Sequence, residues 1–194
     1  MLLLWAHIII FLLKIICRVD YHIIGANNLP KIPAIIASRH QSTWETAFLM
    51  ILLDRPAFIL KKELLWFPVF GWYLIPSGMI SINRSKGMSA IKQIVQQAKK
   101  AINNNHHIVV FPEGTRMEHG HAGKIQSGVV AIHHALPDIP IITISLNSGK
   151  FWSKKSWKIK PGTIYLHVNA PIDINNMSKE DLIKKIEQGI ADRD

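Results

Sequence analysis

The chain has 194 residues, 48% hydrophobic and 19% charged. It therefore suits one domain with at most a short appendage, being too apolar for a disordered tail and too often interrupted by charge for a polytopic membrane protein. Lys and Arg total 23 against 13 Asp and Glu, a formal charge of +10, which points to an anionic partner: a phosphorylated substrate, an anionic lipid surface or nucleic acid. Its one cysteine, Cys17, excludes an intrachain disulfide framework and a Cys-rich metal site and favours a reducing compartment.

Residues 1–13 carry no charged side chain and include Trp5; Lys14 and Arg18 close the run. A bilayer-spanning helix needs roughly 20 apolar residues. This segment is shorter and interrupted by His7, so residues 1–18 read as a membrane-associated, interfacial helix and residues 19–194 as the main domain. The basic residues follow the apolar run instead of preceding it, against a cleaved secretory signal. The competing reading is a buried first helix of a soluble core.

Downstream, short apolar runs alternate with helical patterns. Strands are predicted at 34–37, 57–60, 79–82, 108–111, 141–146 and 163–168, and helices at 43–53, 86–103, 127–136 and 178–190. In 86–103, Met88, Ile91, Ile94, Val95, Ala98 and Ile102 recur at helical spacing among lysines and glutamines, the pattern of an amphipathic helix. The alternation predicts an α/β fold whose largely parallel central sheet is covered by helices on both faces. In such sheets ligands gather at the carboxyl ends of the strands.

After the first predicted strand comes Ser38-Arg39-His40-Gln41-Ser42-Thr43-Trp44-Glu45. His40 falls at the strand end and Glu45 in the first turn of the next helix, so the imidazole can turn back to the carboxylate. An imidazole with an unperturbed pKa of about 6.5 can take a proton from an alcohol near neutrality, and a carboxylate on its other nitrogen fixes the tautomer. Two plainer readings compete. Ser42 followed three residues later by Glu45 is also a capping box, and a histidine at a strand end is often only a hydrogen-bonded structural residue.

After the 108–111 strand, Phe111-Pro112-Glu113-Gly114-Thr115-Arg116 packs a rigid proline, a carboxylate, a glycine, a hydroxyl and a guanidinium into six positions. Glycine lets backbone approach a ligand, and arginine grips phosphate through paired donors. The alternative is an ordinary turn with Glu113 and Arg116 paired to each other. Lys61 follows the 57–60 strand and Arg84 the 79–82 strand, so three strands deliver cations to one edge and together suggest a phosphate pocket.

With these residues in view, the chain resembles the PlsC-like 1-acylglycerol-3-phosphate (lysophosphatidic acid) acyltransferase family. The resemblance rests on His40 with an acidic residue five positions on, the block from Gly78 to Arg84, the FPEGTR block and the Ile139-Pro140-Ile141-Ile142 stretch, with support from Lys61 and from Leu146-Asn147-Ser148-Gly149. It implies a glycerolphosphate acyltransferase-like fold over residues 19–194. His40 would be the general base on the sn-2 hydroxyl and Glu45 its orienting carboxylate. Lys61, Arg84 and Arg116 would bind the lysophosphatidate phosphate, with Glu113, Gly114 and Thr115 shaping the acceptor site. The donor would be acyl-CoA or acyl-carrier protein, the product phosphatidate, with no metal or cofactor, and the enzyme would work at the cytoplasmic face of a membrane. Two positions depart from the family pattern: Glu45 stands where aspartate is commoner, and Gln126 where a lysine often lies, with Lys124 nearby.

The stretch from Lys150 to Lys160 interleaves five lysines with Phe151, Trp152 and Trp157, a mixture suited to an anionic headgroup layer. A solvated loop or a nucleic-acid grip would share that composition, but there is no zinc-finger spacing or RNP-type signature. The ten histidines lack the carboxylate or thiolate pattern of a known metal site, and GxSxG and GxxxxGK[ST] motifs are absent. Two alternatives to a lysophosphatidate acyltransferase therefore stand: an acyltransferase for another acceptor, such as glycerol-3-phosphate or another lysolipid, and a non-catalytic basic membrane or nucleic-acid binding module.

Overall fold

The computed structural model describes residues 2–63, 78–83, 87–174 and 177–193. In chain order these form α1 (Leu2–Cys17), β1 (Val19–Ile24), β2 (Ile35–Ser38), α2 (Trp44–Leu52), β3 (Pro56–Lys61), β4 (Ile80–Ile82), α3 (Met88–Asn103), β5 (His107–Val110), α4 (Ser127–Ala135), β6 (Ile141–Leu146), β7 (Gly162–Val168) and α5 (Lys179–Ile190). The strands make one sheet in the order β1-β7-β6-β2-β5-β3-β4. All neighbours run parallel except β6 and β7.

Strands β2, β5 and β6 are buried along their whole length, as near-continuous apolar runs must be when both faces of a parallel sheet are covered. Successive side chains alternate between two cores. Ile36, Val109, Ile142 and Ile144 pack with α1 and α2. Ile35, Ala37, Ile108, Val110 and Ile141 pack with α3, α4 and α5. In α3 the buried stripe is Ala90, Ile94, Ala98 and Ala101, while Met88, expected inside, is 79% exposed. The small alanines let the helix lie close to the sheet. Asn105, just past its end, takes a left-handed φ of 59°, a conformation asparagine tolerates well.

Strand β1 is the one strand among the described residues that the sequence pattern does not predict. It follows α1 after the single residue Arg18, at φ 54°, without a turn signal, and Val-Asp-Tyr-His-Ile-Ile has one apolar face only in part. Its pairing with β7, in the register Val19↔Gly162, supplies what its own pattern lacks. Helix α1 buries Ala6, Ile10 and Leu13 against α2 and the sheet. Most of its remaining surface is exposed and apolar, including Leu4, Phe11, Ile15 and Ile16. It is thus only partly a core helix. Among the described residues, no helix is long and apolar enough to cross a membrane.

Helix α5 lies against β6 through a close approach at Gly189. A Cβ there would fall 2.2 Å from Thr143 Oγ1 and 2.7 Å from its Cβ, and Gly189 O accepts a hydrogen bond from Asn169 Nδ2 at 2.7 Å. Gly189→Ala should therefore push α5 off the sheet and lower stability by about 1–3 kcal/mol, read as a fall in the urea midpoint. An unchanged midpoint would show that the helix shifts without cost.

Candidate active site

Because β6, β2, β5, β3 and β4 run in one direction, their carboxyl ends share one edge of the sheet. The registers Ala37↔Val110 and Phe58↔Val109 bring the ends of β2, β5 and β3 level. Residues that are distant in sequence meet along this edge, as expected for a parallel α/β sheet.

His40 lies two residues past β2, and its Nδ1 is 2.9 Å from Glu45 Oε1. Its ring stacks on Phe111, with centroids 4.0 Å apart and planes 15° off parallel. With Nδ1–H donated to the carboxylate, Nε2 is the nitrogen left to accept a proton. The ring side chain is 16% exposed and that of Glu45 fully buried.

Glu45 is held from every side. Oε1 also accepts the backbone N–H of Gln41 and of Ser42, each at 2.7 Å. Oε2 accepts the hydroxyls of Ser42 at 2.7 Å and Ser148 at 2.8 Å. Burial by itself pushes the carboxyl toward the neutral form, but the bond and charge of His40 and the donations from Ser42 outweigh it, so its pKa lies below the ordinary value. Only half of the capping box forms: Glu45 Oε1 accepts Ser42 N–H, while Ser42 Oγ accepts Trp44 N–H at 3.0 Å instead of that of Glu45. The same carboxylate pins the entry to the helix and fixes the imidazole.

The loop after β5 is built around an inward-turned carboxylate. Glu113 is paired with Arg39, not with Arg116, and also accepts Gly123 N–H at 2.9 Å. Burial raises its pKa despite the arginine's charge. Whatever Glu113 gives to an acceptor site, it gives through the shape of this loop. Gly114 sits at φ 70°, a conformation that favours glycine, and donates to Phe111 O at 2.9 Å. The turn leaves Thr115 and Arg116 exposed. Met117 N–H reaches back to His40 O at 2.8 Å, which fastens the loop beside the histidine.

Lys61 ends β3 and is exposed, two strands across from β2 and hence roughly 10 Å away laterally, within reach of a ligand that spans both. Arg84 lies outside the described residues, as does Lys86 at the start of the third predicted helix; β4, which precedes Arg84, ends at the same edge, Ile82 pairing with Lys61. Gln126 binds through its backbone, its N–H donating to Pro112 O at 2.8 Å, while its side chain and that of Lys124 face solvent. Among the described residues, no three His, Cys, Asp or Glu side chains gather as a metal site would need.

Several supporting residues escape sequence reasoning. Buried Arg39 contacts Glu113, the carbonyl of His121, and Asp192 at 2.9 Å. Asp192 also accepts Gln41 Nε2 at 2.8 Å, and Gln41 Oε1 accepts Gly149 N–H at 2.9 Å. The segment after α5 thereby ties the residues flanking His40 to the β5 loop. The available signal was positional: Arg39 and Gln41 flank the histidine, and Ser148 and Gly149 follow a strand that ends at the same edge.

A histidine–carboxylate pair at the carboxyl edge of a parallel sheet, beside a loop that exposes an arginine, defines the class: an α/β protein able to activate a hydroxyl next to an anionic group. The family model described as "Acyltransferase" matches residues 20–147, and the chain belongs to that family. Over 162 residues it is 38% identical to a 1-acyl-sn-glycerol-3-phosphate acyltransferase of Pseudomonas aeruginosa, covering 82% of this chain and 62% of that protein. A mouse 1-acyl-sn-glycerol-3-phosphate acyltransferase alpha is 31% identical over 163 residues, with 81% and 56% covered. The chain thus spans less than two thirds of the length of either relative. The crystal structure of the 1-acyl-sn-glycerophosphate acyltransferase PlsC from Thermotoga maritima superposes with a TM-score of 0.78 at 22% identity, over 96% of this chain and 74% of that one, and so shares the fold.

Proposed function

We propose that the protein is a 1-acylglycerol-3-phosphate acyltransferase, moving an acyl group from a thioester to the sn-2 hydroxyl of lysophosphatidate to give phosphatidate. The observation that carries this reading is the His40–Glu45 contact at 2.9 Å, on a carboxylate that four further donors keep ionised and fixed. Family membership and the activity for which the relatives are named support it.

In this mechanism His40 Nε2 takes the hydroxyl proton as the oxygen attacks the thioester carbonyl. The tetrahedral adduct collapses with cleavage of the carbon–sulfur bond, and the departing thiolate takes up the proton held by the imidazolium. Glu45 steadies the imidazolium throughout. Arg116, Lys61 and Arg84 hold the acceptor phosphate, and acyl-CoA or acyl-carrier protein brings the acyl group; no metal or other cofactor takes part. Residues 19–194 are the acyltransferase domain. Residues 1–18, through the exposed apolar surface of α1, attach it to the cytoplasmic face of a membrane.

Release of free thiol should be measured with both donors against lysophosphatidate, glycerol-3-phosphate and other lysolipids. Preference for lysophosphatidate supports the proposal, preference for another acceptor replaces the substrate, and no release with any combination leaves a non-catalytic basic module. Arg116→Ala should raise KM for lysophosphatidate roughly tenfold or more, the scale of a lost charge-assisted bond, and leave KM for the thioester nearly unchanged. The reverse pattern would place Arg116 in the donor site.

A further inference from the structure

We propose that the loop 151–160 is a second membrane-binding element that seats on anionic lipid beside α1 and turns the mouth of the active site toward the bilayer. The inference rests on the membrane attachment proposed for α1.

Trp157 is 100% exposed, and Lys154, Lys155, Lys158 and Lys160 around it are exposed as well. The loop is nevertheless firmly based. Lys160 N–H donates to Phe151 O at 2.8 Å, and Phe151, Trp152 and Ile159 pack onto the core shared with α1 and α2. A free indole held out on such a base is poised for contact, and interfaces of bilayers are where tryptophan and lysine serve together.

The topology says which surface the loop joins. β7 runs antiparallel to β6, so it begins at the edge where β6 ends. β1 pairs parallel with β7 from Val19↔Gly162, so it begins there too. The carboxyl end of α1 therefore reaches the catalytic edge, where Gly162 N–H donates to Arg18 O at 3.0 Å. On the opposite flank the loop touches the FPEGTR segment, Lys154 Nζ donating to Arg116 O at 3.3 Å and Lys155 pairing with Glu118 at 2.5 Å. The exposed apolar surface of α1, the basic loop and the carboxyl ends of the strands thus adjoin one another on one layer of the molecule.

Charge and apolarity together select the occupant. An acidic protein would be drawn by the lysines but would leave the bare indole and the apolar surface of α1 uncovered. An anionic bilayer satisfies all three: acyl chains take α1, the headgroup layer takes Trp157, and lipid phosphates take the lysines. A lipid acceptor would then enter the site without crossing bulk water.

The test is flotation of the full chain with vesicles of phosphatidylcholine alone or mixed with phosphatidylglycerol. Wild-type protein should prefer the anionic vesicles, the more so at low salt. Trp157→Ala should weaken binding to them roughly tenfold, and Lys158→Gln with Lys160→Gln by roughly tenfold or more, while thiol release from detergent-dispersed substrates stays at the wild-type rate. Phe11→Ser with Ile15→Ser in α1 should reduce binding to both kinds of vesicle. If the α1 variant alone loses binding, the loop proposal is overturned and the α1 reading stands. If wild-type protein floats with neither vesicle, both fail. If the lysine variant floats like wild type and instead slows only the carrier-protein donor relative to acyl-CoA, the surface is a protein-docking site and the lipid proposal is wrong.

Discussion

Replacing His40 by alanine should lower turnover by roughly 10²- to 10⁴-fold, the usual contribution of a positioned general base, and leave the protein folded. The two halves of that expectation come from different contacts. Nε2 is the acceptor left on a ring whose Nδ1 faces Glu45, so removing the ring removes the proton acceptor. The carboxylate it leaves behind remains satisfied, because Gln41 and Ser42 still donate to Oε1 and Ser42 and Ser148 to Oε2. The stability loss should stay near one hydrogen bond to a charged group plus the stacking on Phe111, about 2 kcal/mol. His40→Gln refines the test: an amide can donate to Glu45 yet cannot take a proton, so it should recover stability without recovering rate. Thiol release under saturating acceptor and urea unfolding measure the two quantities separately. Full turnover in either variant would remove His40 from the chemistry.

The parts of this site that the sequence discloses are those written in consecutive residues. Strands β2, β5 and β6 are legible because both their faces are buried, which makes each an unbroken apolar run. His40 and Glu45 are legible because a strand end and the first turn of the next helix bring five positions together without help from the rest of the fold. Arg39 is not, since an arginine in a sequence looks like surface charge; burial becomes tolerable only when Glu113, 74 positions away, and Asp192, after the last helix, supply carboxylates. Glu113 is the matching case: its neighbour Arg116 was the obvious partner on spacing, yet Arg39 reaches it from the adjacent strand. Ser148 lies 103 positions from Glu45, and only the pairing of β6 beside β2 brings it there. Strand β1 hides for a related reason, because its stability comes from pairing with β7 and packing on α2, where Tyr21 meets Phe48 at 4.5 Å.

Glu45→Gln should damage rate and stability together, and the way the two depend on pH separates the roles that one carboxylate combines. A helix cap alone predicts a stability loss of about 1 kcal/mol with unchanged kcat. An orienting carboxylate alone predicts a fall in kcat with little change in melting. The geometry requires both, since Oε1 meets His40 and Ser42 N–H at once. We expect kcat to fall by roughly 10²-fold or more, because a neutral amide no longer stabilises the imidazolium and can present its NH₂ to the ring and impose the wrong tautomer. Stability near neutral pH should fall by about 2 kcal/mol, the scale of hydrogen bonds to an ionised group. The sign of the pH dependence follows from the depressed pKa of Glu45. Its ionised form is favoured in the folded state, so the stabilisation is fully present above the unfolded value of about 4.3 and is lost as pH falls through the lower folded value. The part of the unfolding free-energy gap between wild type and Glu45→Gln that comes from ionisation of Glu45 should therefore be fully present down to about pH 5 and shrink as pH falls below about pH 4. Ser148→Ala completes the separation: it removes a donor from Oε2, on the oxygen that does not face His40, and should cost stability while sparing most of kcat. If that variant lost as much turnover as Glu45→Gln, the serine would share in holding the imidazole, and the division between the two carboxylate oxygens would have to be redrawn.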